Sequence, residues 1–154
     1  MAGQPRAGRF ERTVRIRFGH CDPAGIVFYP QYLVLLNGLV EDWVDQGLGI
    51  SYAGLVAQRR VGLPTVRLEC DFRAVSRMGE DVVFGLEVER LGNRSITLAI
   101  DVTLGSEQRL AARVVLVTTD LGHHRAIAVP ADLHAAILAF GPRPQSPPES
   151  RSTP

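Results

Sequence analysis

Four consecutive segments between residues 66 and 117 alternate apolar and polar residues with the period of two typical of half-buried β-strands. They cover residues 66–73, 82–89, 96–104 and 109–117, and short turns at 76–80, 92–93 and 105–106 join them. Strands joined by such short turns pair as an antiparallel sheet with one apolar face. This sheet constrains the fold more than any other feature, because its apolar face must be covered by another element.

The element that can cover the sheet is an apolar helix, predicted from Pro30 to about Gln46. Its most regular apolar positions recur every three or four residues and are Tyr32, Leu36, Leu39 and Trp43. With further apolar residues beside them, they form a sector broad enough for a helix that a sheet surrounds. We therefore predict a two-layer α+β domain.

Two more elements complete the predicted domain. Residues 12–18 alternate, with Val14, Ile16 and Phe18 on one face, which predicts a further strand before the helix. A short final helix is predicted over residues 131–140, after Pro130. The domain is placed at residues 10–140. Residues 1–9 and the proline- and serine-rich residues 141–154 are predicted to be disordered, because such segments bury too little apolar surface to offset their ordering entropy.

Composition limits the classes of protein that the chain can represent. With 154 residues, 45% of them hydrophobic and 21% charged, it fits one globular domain. A formal net charge of +1 argues against nucleic-acid binding through a basic surface. There is no membrane-spanning run and no signal-peptide pattern, and two cysteines do not make a disulfide framework. We expect a reduced, cytoplasmic protein without nucleic-acid or membrane partners.

The segment that leads from the first strand into the helix carries the candidate chemistry. Residues 18–30 read FGHCDPAGIVFYP, in which Asp22 opens a turn and Pro30 suits the first position of a helix. Backbone amides at a helix start lack internal partners and favour negative charge. A carboxylate beside such amides can cleave an ester or thioester, whereas an aspartate before a proline can also serve simply as a turn former.

This segment resembles the active-site motif of the 4-hydroxybenzoyl-CoA thioesterase family of the hot-dog superfamily, and residues 126–132 resemble that family's C-terminal segment. The resemblance implies a hot-dog fold, with about five antiparallel strands around one long central helix. It also implies an acyl-CoA thioesterase in which Asp22 acts as nucleophile or general base and the Tyr29 amide polarises the thioester carbonyl. CoA is part of the substrate, and no separate cofactor is implied. The substrate-binding positions implied within the motif are Gly25, Ile26, Val27 and Phe28.

Other site positions are less strictly matched. His20 stands where the family's best-known pattern has a second aspartate; it could orient water, contact substrate, shift the titration of Asp22 or simply pack in the loop. Arg94 and Ser95 resemble the basic-serine position that holds the CoA nucleotide. The resemblance further implies a homodimer or homotetramer, and a regular edge strand that needs covering supports such pairing.

Several alternatives remain open at this stage. In another hot-dog branch the catalytic acid lies mid-helix, where this chain has Glu41 and Asp42. A hot-dog dehydratase acting on 3-hydroxyacyl thioesters would use a histidine and an acidic residue, which His20 and Asp22 could supply. A non-catalytic acyl-CoA-binding module is the third alternative. No metal site is expected at His123 and His124, since no third ligand has a fitting spacing.

Overall fold

The computed structural model describes residues 6–141, so the predictions for residues 1–5 and 142–154 lie outside it. Its β-strands and α-helices, in chain order, are β1 (Arg9–Arg15), α1 (Tyr29–Asp42), β2 (Val61–Gly62), β3 (Thr65–Phe72), β4 (Asp81–Leu91), β5 (Ser95–Leu104), β6 (Glu107–Val117), β7 (Thr119–Asp120), β8 (Arg125–Ala126) and α2 (Ala131–Phe140). A short π-helical segment, Gly54–Gln58, precedes β2. The main sheet is antiparallel and has the strand order β1-β4-β5-β6-β3. The predicted two-layer α+β architecture is confirmed.

The core lies between α1 and the central strands of the sheet. Buried residues of α1 join those of β4, β5 and β6 in one hydrophobic cluster. The helical path continues beyond α1 as a π-helical turn over Trp43–Gly47, so it ends one residue after the predicted Gln46. Trp43 is fully buried, and its ring meets that of Phe140 in α2 edge-on at 5.8 Å. The C-terminal helix therefore closes the end of the core at which α1 finishes.

The first strand differs from its prediction. β1 runs from Arg9 to Arg15, one residue before the predicted domain start, and pairs with β4. After Ile16 the chain leaves the sheet and forms a 3-10 turn over Phe18–His20. Phe18 is 82% exposed, so its predicted place on the apolar face was wrong. Alternation continues in the sequence through residue 18, but it assigns faces only where the backbone remains extended.

β3 is the outer strand next to β6, and much of its apolar side is uncovered. Val66 is 60% exposed, Leu68 39% and Phe72 51%, although the alternation predicted a buried face. The pattern identifies which residues share a side of the sheet, but it does not say whether another element covers that side. Here α1 covers the central strands, and a cleft remains between α1 and the edge strand.

A second, small sheet was absent from the prediction. Its order is β2-β7-β8, and each strand has two residues, too few for a recognisable period. A bidentate ion pair between Arg59 and Asp132, at 2.7 and 2.8 Å, fixes the start of α2 nearby.

No helix within residues 6–141 is long and apolar enough to cross a membrane.

Candidate active site

A short hairpin-like loop carries Asp22. Cys21 and Val27 pair across it as an isolated antiparallel bridge, and the Asp22 N–H donates to the Ile26 carbonyl at 3.1 Å. The Gly25 N–H donates to the Asp22 carbonyl at 2.9 Å, and Gly25 has a φ of +76°, a conformation that favours glycine. The turn predicted at residues 22–25 is therefore present.

The loop is tied directly to the start of α1. The Phe28 N–H donates to the His20 carbonyl at 2.9 Å, and Tyr29 is the first residue of the helix, followed by Pro30. The Tyr29 N–H has no hydrogen-bond partner within residues 6–141. A free amide at the positive end of the helix dipole thus adjoins the Asp22 loop, and such an amide can stabilise a developing negative charge on a ligand.

The Asp22 side chain is half-buried and partly engaged in its own turn. Its Oδ1 accepts a hydrogen bond from the Ala24 N–H at 2.8 Å, which is the geometry of a turn-forming aspartate. Its other carboxylate oxygen has no partner among the described residues. The aspartate therefore combines the turn-forming role with one free oxygen.

An apolar groove opens between this loop, the start of α1 and the end of β3. It has a volume of about 320 Å³, and its walls include Ile26, Val27 and Tyr29 but not Asp22. The Phe72 ring of β3 lies 6.2 Å from the Tyr29 ring and 6.0 Å from the Tyr32 ring, measured between centroids. The groove thus presents aromatic side chains immediately beside the free amide.

A second cavity of about 200 Å³ lies further along the same helix. Its lining residues are mostly apolar and are Leu33, Leu36, Asn37, Val40, Thr65, Leu68, Val114 and Leu116. Both cavities lie between α1 and β3, and together they define what we call the α1–β3 cleft. Its side is open because the edge strand has no neighbour within the described chain.

A buried polar network holds the wall of the groove in place. The hydroxyls of Tyr32 and Ser76 are 2.6 Å apart, and the Ser76 carbonyl accepts a hydrogen bond from the Val27 N–H at 3.0 Å. The buried Arg109 guanidinium donates to the Val75 carbonyl and, at 2.6 Å, to Glu80. That hydrogen bond is the main reason why the pKa of Glu80 lies below its ordinary value. Sequence reasoning missed these residues, because contacts between residues 29 or more positions apart leave no local signal.

His20 contacts the turn rather than the aspartate. Its Nδ1 accepts a hydrogen bond from the Arg17 N–H at 3.0 Å, which places the proton of a neutral ring on Nε2. No hydrogen bond joins His20 to Asp22 in the part of the chain that the structure describes. Of the roles considered from the sequence, the hydrogen bond with Arg17 supports packing in the loop.

The motif positions that follow Asp22 are divided between two roles. Ile26 and Val27 line the groove, whereas Gly25 supplies the turn conformation. Phe28 is 48% exposed, and its ring meets the Tyr29 ring edge-on at 5.6 Å. Of the four predicted substrate-binding positions from Gly25 to Phe28, the two that line the groove are therefore Ile26 and Val27.

Arg94 and Ser95 lie at the other end of the molecule from the Asp22 loop. β4 begins near the segment that pairs with the loop and ends beside the Arg94 turn, and its 11 residues span roughly 33 Å at about 3.3 Å per residue. The Arg94 carbonyl accepts hydrogen bonds from the N–H and the hydroxyl of Thr118, while its side chain is exposed. A single chain does not bring Arg94 and Ser95 to the aspartate.

The other titratable candidates lie elsewhere on the molecule, and none of them lines the groove. Asp42 pairs with Arg12 at 3.3 Å, and Glu41 is exposed on the outer side of α1. His123 lies 2.7 Å from Asp120 and lowers the pKa of that carboxyl group. Within residues 6–141 no three side chains of the metal-binding types cluster closely enough to hold an ion.

The sheet wrapped around α1 is that of a hot-dog protein. The family model of the thioesterase-like superfamily matches residues 16–137, most of the chain, and the chain belongs to this superfamily. The 4-hydroxybenzoyl-CoA thioesterase of Pseudomonas sp. (strain CBS-3) is 29% identical over 126 residues, covering 77% of this chain and 89% of that protein. A 1,4-dihydroxy-2-naphthoyl-CoA hydrolase of Synechocystis sp. is 22% identical over 123 residues, covering 80% of this chain and 84% of that protein.

Solved structures agree with this assignment. The three-dimensional structure of the Pseudomonas enzyme superposes with a TM-score of 0.76 at 27% identity, over 84% of this chain and 99% of that one. A mutant 4-hydroxybenzoyl-CoA thioesterase complexed with 4-hydroxybenzoyl-CoA gives a TM-score of 0.75 at 24% identity, over 85% of this chain and 99% of that one. The predicted hot-dog fold and thioester-hydrolase class are confirmed at the level of the family.

Proposed function

We propose that the protein hydrolyses the thioester of an aromatic acyl-CoA to the free acid and CoA. The observation that carries the proposal is the free Tyr29 amide at the start of α1, beside the Asp22 loop and an aromatic-walled groove. The relatives named above as thioesterase and hydrolase act on aryl-CoA thioesters, which supports the same substrate class here.

The proposed chemistry depends on a charge that appears only during the reaction. Attack on the thioester carbonyl turns its oxygen into an oxyanion, which the Tyr29 N–H and the helix dipole stabilise more in the transition state than in the ground state. Removing one such donor typically costs about 10²–10³ in rate. The CoA thiolate leaves without a strong general acid, because a thiol has a pKa of about 8.5.

Asp22 would supply the attack in one of two ways. As a nucleophile, a carboxylate oxygen bonds to the carbonyl carbon, the C–S bond breaks, and water then hydrolyses the resulting anhydride. As a general base, the carboxylate takes a proton from the water that attacks the carbonyl. Both routes consume one water and release the acid and CoA. The carboxylate oxygen without a partner is the one available for either role.

The α1–β3 cleft suits a planar aromatic acyl group. Its groove at the Tyr29 end, at about 320 Å³, lies just above the lower limit of small-molecule pockets, which begin at roughly 300 Å³. Tyr29, Tyr32 and Phe72 offer ring faces and edges to a flat ligand. An aromatic acyl group here would lie with its carbonyl near the free amide.

We further propose that two protomers pair through β3. Among residues 6–141 the strand has an unpaired edge, and its apolar side chains at Val66, Leu68 and Phe72 are exposed; a second β3 would cover them while closing the cleft. In such an assembly Arg94 would bind the CoA phosphates at the Asp22 site of another protomer, because it follows the end of β4 that lies away from the Asp22 loop of its own chain. The homotetramer and the cytoplasmic location stay predictions.

The test is a thiol-release assay on a panel of aryl- and alkyl-CoA thioesters with matched carboxylate variants. We expect the wild type to release CoA from aryl thioesters, Asp22→Asn to lower kcat by about 10²–10⁴, and Glu41→Gln to retain activity. Equal activity in Asp22→Asn would remove this residue from the mechanism. Conversion of a 3-hydroxyacyl-CoA to an enoyl product without thiol release would favour a dehydratase, and binding without turnover would favour a non-catalytic module.

A further inference from the structure

The chain between β3 and β4 makes a turn that lies directly against the Asp22 loop. We call residues 75–80 the β3–β4 turn. Its Ser76 carbonyl accepts a hydrogen bond from the Val27 N–H at 3.0 Å. Val27 lies five residues after Asp22 and two before Tyr29. This bond therefore fixes the stretch that separates the two groups proposed to act on the thioester.

Two further backbone hydrogen bonds join the β3–β4 turn to the loop. The Met78 N–H donates to the Gly25 carbonyl at 3.0 Å, and the Glu80 carbonyl accepts from the Ile16 N–H at 2.8 Å. Gly25 follows the aspartate in the chain, whereas Ile16 precedes it. The turn therefore contacts the loop on both sides of the aspartate, and a shift of the turn would move the loop with it.

One buried guanidinium holds the β3–β4 turn in its conformation. The Arg109 side chain on β6 is 6% exposed, and its Nη1 donates both to the Val75 carbonyl and, at 2.6 Å, to the Glu80 carboxylate. The Glu80 carboxylate also accepts from the Arg77 N–H at 2.9 Å. Because the turn belongs to neither β3 nor β4, these side-chain bonds set a conformation that the pairing of the main sheet does not.

Stability alone explains this buried ion pair poorly. The cost of removing two charges from water offsets much of their attraction, so well-packed apolar residues of similar volume are often as stable. A charged pair does provide a defined geometry, and here a single nitrogen is bonded to two points of one turn. Neither Arg109 nor Glu80 lines the α1–β3 cleft, so any effect on the reaction would act through the turn.

We infer that Arg109 and Glu80 are positioning residues of the proposed thioesterase, which hold the Asp22 carboxylate in register with the Tyr29 amide by fixing the β3–β4 turn. The inference rests on the proposed function and adds to it two residues outside the cleft that set the geometry of the reacting groups. A misplacement of about 1 Å can cost about 10² in rate. A loss confined to the transition state lowers kcat and leaves KM nearly unchanged.

The experiment compares side chains of similar length at position 109. Arg109→Met removes every donor, whereas Arg109→Lys keeps one charged nitrogen with three donors, which suits a site where one arginine nitrogen makes both bonds. In thiol-release kinetics on an aryl-CoA, we expect Arg109→Met to lower kcat by about 10–10² and to change KM by less than about threefold. Arg109→Lys should stay within about threefold of the wild-type kcat. Glu80→Gln, which keeps an oxygen acceptor, should lower kcat by about three- to tenfold.

A control variant separates positioning from a general loss of stability. Leu133→Ala removes a fully buried side chain of α2, the helix that packs where α1 finishes and not where it starts. With all rates measured below the unfolding transitions, it should lower the melting temperature and leave kcat unchanged. Hydrogen exchange gives a readout without turnover: the amides of Val27 and Met78 should exchange faster in Arg109→Met but not in Leu133→Ala.

The outcomes distinguish the inference from the function on which it rests. A wild-type kcat in Arg109→Met, an equal fall in Leu133→Ala, or an Arg109→Lys as slow as Arg109→Met would overturn the inference and leave the thioesterase function intact. If Arg109→Met does not fold, Glu80→Gln takes its place, and a wild-type kcat in that variant would overturn the inference. Absence of thiol release by the wild type from every acyl-CoA would overturn the proposed function, and the inference with it.

Discussion

Replacing Glu80 with glutamine tests the network that holds the groove wall, because it removes the main charge partner of a buried guanidinium. The Arg109 side chain is 6% exposed and that of Glu80 21%, and they are 2.6 Å apart. The same guanidinium donates to the Val75 carbonyl and lies 3.5 Å from Ser76 Oγ, and these contacts position residues 75–76. The Ser76 carbonyl in turn accepts the hydrogen bond from the Val27 N–H. Loss of the charge should therefore lower the stability of the fold and loosen this wall.

The expected loss is about 2 kcal/mol. Removing one partner from a fully buried pair costs about 3–5 kcal/mol. Here glutamine still offers an oxygen to Arg109, and Glu107 remains 2.5 Å from the Arg109 Nε. The smaller value for a hydrogen bond to a charged group, about 1.5–3 kcal/mol, therefore applies. For a chain of this size the melting temperature should fall by about 4–8 °C. Glu107→Gln is the matched control; Glu107 is 60% exposed, and we expect a change below about 1 kcal/mol.

The pH dependence distinguishes a charge effect from a packing effect. Hydrogen bonding to Arg109 lowers the pKa of Glu80, so its stabilising contribution is complete above the unfolded value of about 4.3 and is lost as the pH falls through the folded pKa. Thermal denaturation followed by circular dichroism should show a gap between wild type and Glu80→Gln at pH 7 that narrows below about pH 4. Equal melting temperatures at pH 7, or a gap that stays constant into acid, would refute this reasoning.

Three further predictions address the sheet, the nucleotide site and the assembly. A Cβ at Gly85 would lie 1.9 Å from the Arg9 guanidinium, which now binds Asp101 at 2.8 and 2.9 Å. Gly85→Ala should therefore displace the guanidinium from Asp101 and lower the free energy of unfolding by about 1–3 kcal/mol. An unchanged melting temperature in calorimetry would contradict this. Arg94→Ala should raise KM for acyl-CoA by about tenfold but leave KM unchanged for a thioester of pantetheine without the nucleotide; equal effects on both would exclude the phosphate role. Leu68→Arg should shift the protein toward monomers in light scattering, and an unaltered dimer would rule out pairing through β3.

Local sequence patterns predicted the helices and strands of the main sheet well, but not which of their faces another element buries. The alternation of residues 96–104 and the helical period from Tyr32 to Trp43 correspond to β5 and to the buried side of α1. The same alternation in β3 predicted burial that the structure does not have, since Val66 and Phe72 lie on the edge strand, which the helix does not fully cover. Periodicity reports the shape of one segment, whereas burial depends on which segments pack together.

The candidate site was predictable only where it is local. The Asp22 turn and the free amide of Tyr29 follow from neighbouring residue types, and the structure has both. The contact between Tyr32 and Ser76, 44 residues apart, depends on the path of the chain between β3 and β4. The residues next to either one in the sequence therefore do not predict it. The distance that separates Arg94 from the loop likewise became visible only with the strand order.

The most direct test of the account is a crystal structure of Asp22→Asn with a bound aryl-CoA thioester. We predict that the thioester carbonyl oxygen lies within hydrogen-bonding distance, about 2.7–3.2 Å, of the Tyr29 nitrogen. The residue 22 side chain should face the carbonyl carbon, and the aryl ring should lie in the α1–β3 cleft. A thioester bound with its carbonyl away from the start of α1, and with the ring outside the cleft, would contradict the central claim.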